Sequence, residues 1–404
     1  MIAMGILVEA EVNKLGTEVK ATLKTASTSR IYFLDNLKVL LALLVVLDHV
    51  AQPYGPGGSG WWIASDPQSP IDFLVLGLFM AVISSFFMGL FFMISAYFVP
   101  GSLDRKGPAK FIRDRLVKLG VPIPIFMFAV FPIMGYLLFH YGQPVINFYS
   151  DYINIFGPQY KLNFGHTWFL ALLLIFSAVY VAYWLVKRPS ANVKRAFPGN
   201  MAIVTFAMAM GLISFVVGIW APMNSWVLQD LFEPYHLAQY AMLFAAGIIA
   251  YREGWIDAIP GATAKLWSRV AILMVILLPV VIIVTNGKDF SAGLALFAGG
   301  LTLASFFGSV WEAFMCVSMC IAMLSLFKNR FNYQTPIMKA MADNSFTVYL
   351  IHIPIIVFLQ YLLIGVAIDP LIKFTIVGAI GIPLAFAISH YVIRRLPYAK
   401  YILG

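Results

Sequence analysis

Charge is what this chain has least of: Asp, Glu, Lys and Arg make up 11% of its 404 residues, against about a quarter in ordinary soluble domains. That scarcity excludes a soluble globule, and no hydrophilic stretch is long enough to form a separate soluble domain. Cysteine is nearly absent too. Cys316 and Cys320 cannot make a disulfide framework; four residues apart in an apolar run, they share a helical face as core packing. Met1–Thr28 lacks the basic start and long apolar run of a secretion signal. It carries Glu9, Glu11, Lys14 and Lys20 and reads as a cytoplasmic tail over residues 1–29. Internal repeats and low-complexity tracts are also missing.

What is present is apolar. With 61% hydrophobic residues and a mean hydropathy of +0.87, the chain reads as an all-α integral membrane protein. Segments of about 20 residues suit helical spans. They run Phe33–Val50, Phe73–Val99, Leu119–Tyr141, Thr167–Val186, Met201–Trp220, His236–Tyr251, Leu266–Val284, Val310–Phe327, Phe346–Ile368 and Phe374–Ile393. This predicts a bundle of about ten transmembrane helices with both termini cytoplasmic, a membrane domain over 30–395 and a short cytoplasmic tail over 396–404. Residues 290–307 are apolar but broken by Gly293, Gly299 and Gly300, and read either as re-entrant or as part of a longer eighth span.

Lysine and arginine test that topology. Apart from Lys38 inside the first span, and Lys161, Lys288 and Lys373 outside, the other 23 of the 27 lysines and arginines fall on the cytoplasmic side, as the positive-inside rule requires. The net charge of +9 therefore follows from topology. It implies the lipid bilayer, not nucleic acid, as partner.

The most unusual stretch is Arg30-Ile-Tyr-Phe-Leu-Asp35-Asn36-Leu-Lys38, continuing as an apolar run to Asp48-His49. An ionisable side chain in hydrocarbon costs at least ~2.5 kcal/mol and survives mainly where it faces a cavity or partner. Lys38 and His49 are thus the first functional candidates. Eleven residues separate them, roughly 16 Å of helix, which sets one deep and the other near a surface. In this topology His49, His140, His166 and His236 lie at outer span ends. His352 and His390 lie in inner halves. Trp61, Trp62, Trp168, Trp220 and Trp255, at span ends, read as interface anchors. The glycine- and proline-rich loop Ala51–Pro70 follows His49 and is either a lid or a plain solvent loop.

Six ordered pieces then point to a family. They are Asp35-Asn-Leu-Lys38 with His49; Phe91-Phe-Met-Ile-Ser95-Ala-Tyr97-Phe; Phe111-Ile-Arg113-Asp-Arg115-Leu-Val-Lys118-Leu-Gly-Val-Pro122; His166-Thr-Trp168-Phe-Leu170; Phe244-Ala-Ala-Gly247; and Phe346-Thr-Val-Tyr349-Leu-Ile-His352-Ile-Pro354. From Arg30 to about Arg395 the chain resembles the membrane-bound acyltransferase family 3, the O-acyltransferases of surface glycans. The resemblance is to the glucan succinylase-like subgroup, without an attached esterase-like domain. Lys38 and Lys118 stand where the family carries arginines, which keeps the charge but loses the bidentate fork.

The resemblance implies an inner-membrane, multi-pass enzyme. It would move an acetyl or other short acyl group from cytoplasmic acyl-CoA, a co-substrate and not a bound cofactor, to a hydroxyl of an extracytoplasmic glycan. The alternative from residue chemistry alone is a transporter or exporter, with Lys38 and the histidines moving substrate or protons. Acyl transfer to a hydroxyl needs a base, and histidine has the nearest unperturbed pKa. His49 fits that role; a covalent acyl-histidine is a second route, and a plain helix-end histidine the structural alternative. Asp35 in the first span, or Glu312 near the outer end of the eighth, are candidate ion-pair partners for Lys38 or His49. Asp48, about 100° round the helix, is not expected to orient His49. The basic loop from Arg105 to Lys118 either holds the donor phosphates through charge-assisted hydrogen bonds or fixes topology and meets anionic lipid; Arg115 and Lys118, nearest the helix entrance, are its donor candidates, and Lys38 lies along the pantetheine channel. Ser95, Tyr97, Trp168, Tyr349 and His352 line that channel or pack between helices, the first two grouped with the donor. His166, Trp168, Glu312, Tyr349 and His352 are the substrate candidates, His352 lying toward the donor side or serving structure. No metal site is expected, because the histidines lack close ligand spacing and acidic companions.

Overall fold

The computed structural model describes residues 30–56, 61–63, 69–139, 144–153, 162–189, 193–286 and 296–403. The predicted tail over 1–29, His140, Lys161, Lys288 and residues 290–295 lie outside them. Among the described residues the fold is helical, apart from one antiparallel bridge between Val227 and Phe232. In chain order the helices are α1 (Tyr32–Ala51), α2 (Pro70–Ser84), α3 (Phe87–Tyr97), α4 (Val99–Lys106), α5 (Pro108–Arg115), α6 (Pro122–Ile125), α7 (Phe131–Phe139) and α8 (Val145–Ile153). They continue as α9 (Trp168–Lys187), α10 (Asn200–Gly218), α11 (Pro234–Glu253), α12 (Gly261–Asn286), α13 (Leu303–Arg330), α14 (Pro336–Leu362), α15 (Pro370–Tyr391) and α16 (Ala399–Leu403).

Eight helical stretches among the described residues are long and apolar enough to cross a membrane. α1 and α11 are not among them, although each has 20 residues. The reason is their polar content: α1 carries Asp35, Lys38 and Asp48, and α11 carries His236, Gln239, Arg252 and Glu253. Both are nevertheless central. α1 packs chiefly on α14, and α11 chiefly on α3. The α3–α11 crossing is close because position 247 is glycine; a Cβ there would overlap the Met93 carbonyl and crowd Ala96. Small residues at such crossings let helix backbones touch where no hydrophobic driving force separates lipid from protein.

One end of the bundle is laced with ion pairs. Asp343 accepts from Arg30 at 2.5 Å and from Lys339 at 2.6 Å. Asp104 takes Arg252 at 2.6 Å, and Lys106 reaches Asp114 at 2.7 Å. Asn36 of α1 donates to the carbonyls of Phe331 and Tyr333, at 2.8 and 2.9 Å, in the link from α13 to α14. Exposed pairs contribute only ~0–1 kcal/mol each. Their value is as markers, since they join connections that the lysine and arginine bias assigns to one side.

Two local departures shape the site. Leu116–Gly120 and Phe126–Val130 wind as π-helix around Pro122 and Pro124. Proline lacks an amide donor and its ring pushes the carbonyl four residues back, which widens the turn bearing Lys118. Residues 303–307 form the first turns of α13, resolving that part of the glycine-broken segment as an extension of the eighth span. Residues 296–302 fold back on the end of α10, where Gly300 N–H donates to Gly218 O at 2.8 Å and Met223 N–H to Ala298 O at 2.7 Å.

Candidate active site

Three histidines from three elements meet. His49 lies in the last turn of α1, His166 in the 3-10 turn Gly165–Thr167 before α9, and His352 in the middle of α14. The ring centroids of His49 and His352 are 5.0 Å apart, and those of His166 and His352 5.2 Å. The placement of His352 in an inner half is therefore wrong. α14 begins at Pro336, ten residues before the apolar run starts at Phe346. His352 is thus about 24 Å of rise from its beginning, level with His49.

Hydrogen bonds assign the tautomers. His49 Nδ1 is 2.8 Å from Val45 O, a carbonyl one turn back, and must donate to it. The same Nδ1 is 3.3 Å from His352 Nε2. His352 Nδ1 is 2.6 Å from Tyr349 O and also donates, so its Nε2 carries a lone pair facing the His49 N–H. His49 Nε2 then carries the unprotonated lone pair that a base needs. His166 Nε2 donates to Leu350 O at 2.9 Å, and the Tyr349 hydroxyl donates to the His166 carbonyl. Tyr349 therefore fixes His166 against α14. Asp48 turns away from His49, as expected, to Gln52 and Ser84, each at 3.4 Å.

Two residues of this cluster escaped sequence reading. Gln360, about two turns beyond His352 on α14, donates to the carbonyls of His49 (3.1 Å) and Val50 (3.3 Å). Its Oε1 accepts the Trp61 indole N–H at 2.8 Å. Trp61 is thereby held with its ring 5.3 Å from His49, so it is a site residue and not an interface anchor. This much of the Ala51–Pro70 loop does cover the histidine; residues 57–60 and 64–68 lie outside the described residues. The only sequence signal for Gln360 was a lone amide in an apolar span.

Glu312 does not pair with Lys38 or His49. It takes His236 Nε2 at 2.7 Å, while Glu233 takes Nδ1 at 2.5 Å. An imidazole that donates from both nitrogens is an imidazolium, so this is a buried triad of two carboxylates and one cation. Burial opposes the charge on Glu233, but His236 and the Asn224 amide outweigh it and hold its carboxyl below the usual range. The expectation that the histidines lack acidic companions fails here. The signal was the Glu233–His236 spacing of three, one helical face, across a helix start. Tyr240 stacks between His236 and Trp168, at 6.0 and 5.4 Å.

The other candidates sit at the opposite end. Lys38 pairs with Asp35 at 3.1 Å and lies over the Phe98 ring at 4.3 Å. Lys118 lies over Phe346 at 5.2 Å, within the electrostatic reach of Arg115, Lys38, Arg394 and Lys106. Ser95 is half-buried on α3. Tyr97 is turned toward Tyr251 of α11, at 5.4 Å, and not toward the histidines.

Comparison with known proteins identifies the family. The model of the acyltransferase 3 family, described as an acyltransferase domain, matches residues 31–390. Relatives named glucans biosynthesis protein C, from Salmonella paratyphi B and Salmonella dublin, are 24% identical over 406 residues, covering 93% of this chain and 94% of theirs. No solved structure matches significantly. A chain matched over that extent belongs to the acyltransferase 3 family and is an acyl-transferring membrane enzyme.

Proposed function

We propose that this protein moves a short acyl group, such as acetyl, from cytoplasmic acyl-CoA to a hydroxyl of an extracytoplasmic glycan, with His49 as general base. The observation that carries the reading is the geometry at His49 Nδ1, 2.8 Å from Val45 O and 3.3 Å from His352 Nε2: a carbonyl there calls for a proton on Nδ1, which leaves Nε2 as the proton acceptor. Nε2 takes the proton of the acceptor hydroxyl as its oxygen attacks the thioester carbonyl. The tetrahedral adduct then collapses, the carbon–sulfur bond breaks, and the leaving thiolate takes the proton from His49. The ester forms with no net gain or loss of protons.

The donor enters from the end that holds Lys38, Arg115, Lys118 and Arg394, whose positive charge suits coenzyme A phosphates. Roughly 16 Å of α1 between Lys38 and His49 is a span for the pantetheine arm. α1 and α11 complete a ten-helix bundle in the inner membrane with both termini cytoplasmic. The lysine and arginine ion pairs, Arg30 and Lys339 with Asp343, Lys106 with Asp114 and Arg252 with Asp104, fall on the connections assigned to the cytoplasmic side and support this orientation. The names of the relatives point to a glucan as acceptor. Transport is the weaker reading, given the family.

The test is transfer of label from acetyl-CoA, supplied at the cytoplasmic face of membrane vesicles. Label should reach glycan with the native chain and not with His49→Ala at matched expression. Equal transfer by both would remove His49 from the chemistry.

A further inference from the structure

We propose that the loop between α10 and α11 forms a distal subsite for a sugar ring of the acceptor, with Trp226 as its stacking platform and Asp230 as its hydroxyl-binding group. The proposal rests on the glycan reading above.

Four non-glycine residues of this loop adopt left-handed backbone: Asn224 (φ 67°), Leu228 (φ 53°), Gln229 (φ 57°) and Asp230 (φ 61°). Leucine is poorly suited to that region, and three such residues in succession are costly. Strain of this kind persists only where surrounding contacts over-determine it, and it concentrates at ligand-binding segments. The contacts are present. Phe164 N–H donates to Gln229 O at 2.9 Å, Val227 N–H to Phe232 O at 3.1 Å, and Asn224 N–H to the Glu233 carboxylate.

The product of that bracing is the position of Trp226. Its ring meets Trp168 edge to face at 5.5 Å, and Trp168 in turn stacks on Tyr240 at 5.4 Å. Trp226 nevertheless remains 37% exposed. A rigid, half-open indole backed by aromatics offers a flat apolar face, which is what the C–H face of a pyranose stacks on. Asp230 lies half-buried on the same loop, and burial alone pushes its carboxyl above the ordinary range. Sugar hydroxyls would supply the donors that burial has taken away. The buried triad of Glu233, His236 and Glu312 anchors the floor, since Glu233 holds the loop through Asn224.

The subsite is joined to the reacting centre by one short path. Trp168 follows His166 by two residues, His166 meets His352, and His352 meets His49. A sugar on Trp226 would therefore lie beyond the sugar being acylated, and the subsite would serve oligomers and not single sugars.

The experiment measures KM for acyl transfer with purified full-length protein, across glucose and β-linked gluco-oligosaccharides up to the octasaccharide. For the wild type, KM should fall as the acceptor lengthens. Trp226→Leu, which keeps apolar bulk but removes the flat face, should raise KM for the long acceptors about tenfold and bring it to the value for the short ones. Trp226→Phe should recover most of the dependence on length. Asp230→Asn gives a second, independent variant if Trp226→Leu fails to fold. A length dependence that survives both Trp226→Leu and Asp230→Asn would overturn the subsite while leaving the glycan reading intact. A wild type indifferent to length would also overturn it. No transfer by the wild type to any of these acceptors would remove the glucan reading itself.

Discussion

His352 Nε2 faces His49 Nδ1 at 3.3 Å, from a helix more than three hundred residues away in sequence. Its lone pair fixes which nitrogen of His49 carries the proton, and it would share the positive charge once Nε2 is protonated. His352 is a positioning residue in this arrangement. His352→Leu should lower kcat by about 10²-fold, the lower range for general-base contributions, whereas His352→Gln, which restores an acceptor, should recover part of it. The pH–rate profile separates this from simple loss of packing, because the limb reporting His49 should move in the leucine variant and return toward the wild type in the glutamine variant.

Gln360 ties three things together with one amide: the Trp61 indole, and the carbonyls of His49 and Val50. Gln360→Leu leaves those groups buried without partners, at ~1–3 kcal/mol for each unsatisfied group. A lower thermal midpoint in detergent is expected, together with a lower kcat, since Trp61 is no longer held on His49. Trp61→Phe should lower the midpoint less, because the ring contact survives.

The buried triad predicts an asymmetry. His236→Leu abandons two carboxylates in the bundle and should cost about 3–5 kcal/mol. Glu312→Gln keeps an acceptor for His236 Nε2 and leaves a neutral ion pair with Glu233, so its cost should be much smaller. Thermal unfolding of the two variants side by side checks the order; a reversed order would show that the triad is not charged as assigned.

At the end proposed for donor entry, Lys118→Ala should raise KM for acyl-CoA. Lys118→Arg should lower it below the wild-type value, because the guanidinium restores a planar fork for phosphate. Added salt should reduce the difference between native and Lys118→Ala enzymes, since exposed charge pairs are screened over ~8 Å at physiological ionic strength.

Gly247 tests the helix crossing. Gly247→Ala places a methyl group into the Met93 carbonyl and Ala96 and should destabilise the bundle by about 1–3 kcal/mol through overpacking. The midpoint should fall without any change in the KM for donor that Lys118→Ala produces.

The apolar runs and the basic residues settled, from sequence alone, that this chain is a helical membrane bundle, because hydrocarbon imposes a length and a composition on whatever crosses it. They also singled out Lys38 and His49, since an ionisable group in such a run is costly unless it has a task. The partners of those groups were not legible. His352 was misplaced because a helix can begin well before its apolar run, and its depth follows from the helix start. Glu312 was assigned to the wrong cation because an i,i+3 pair such as Glu233–His236 is local, while the third member arrives from α13 by packing. Trp61 and Gln360 carry no pattern of their own. Sequence periodicity reports what faces lipid and what faces protein; which polar group meets which across the bundle depends on helix crossings, and those are fixed only when all the helices pack together.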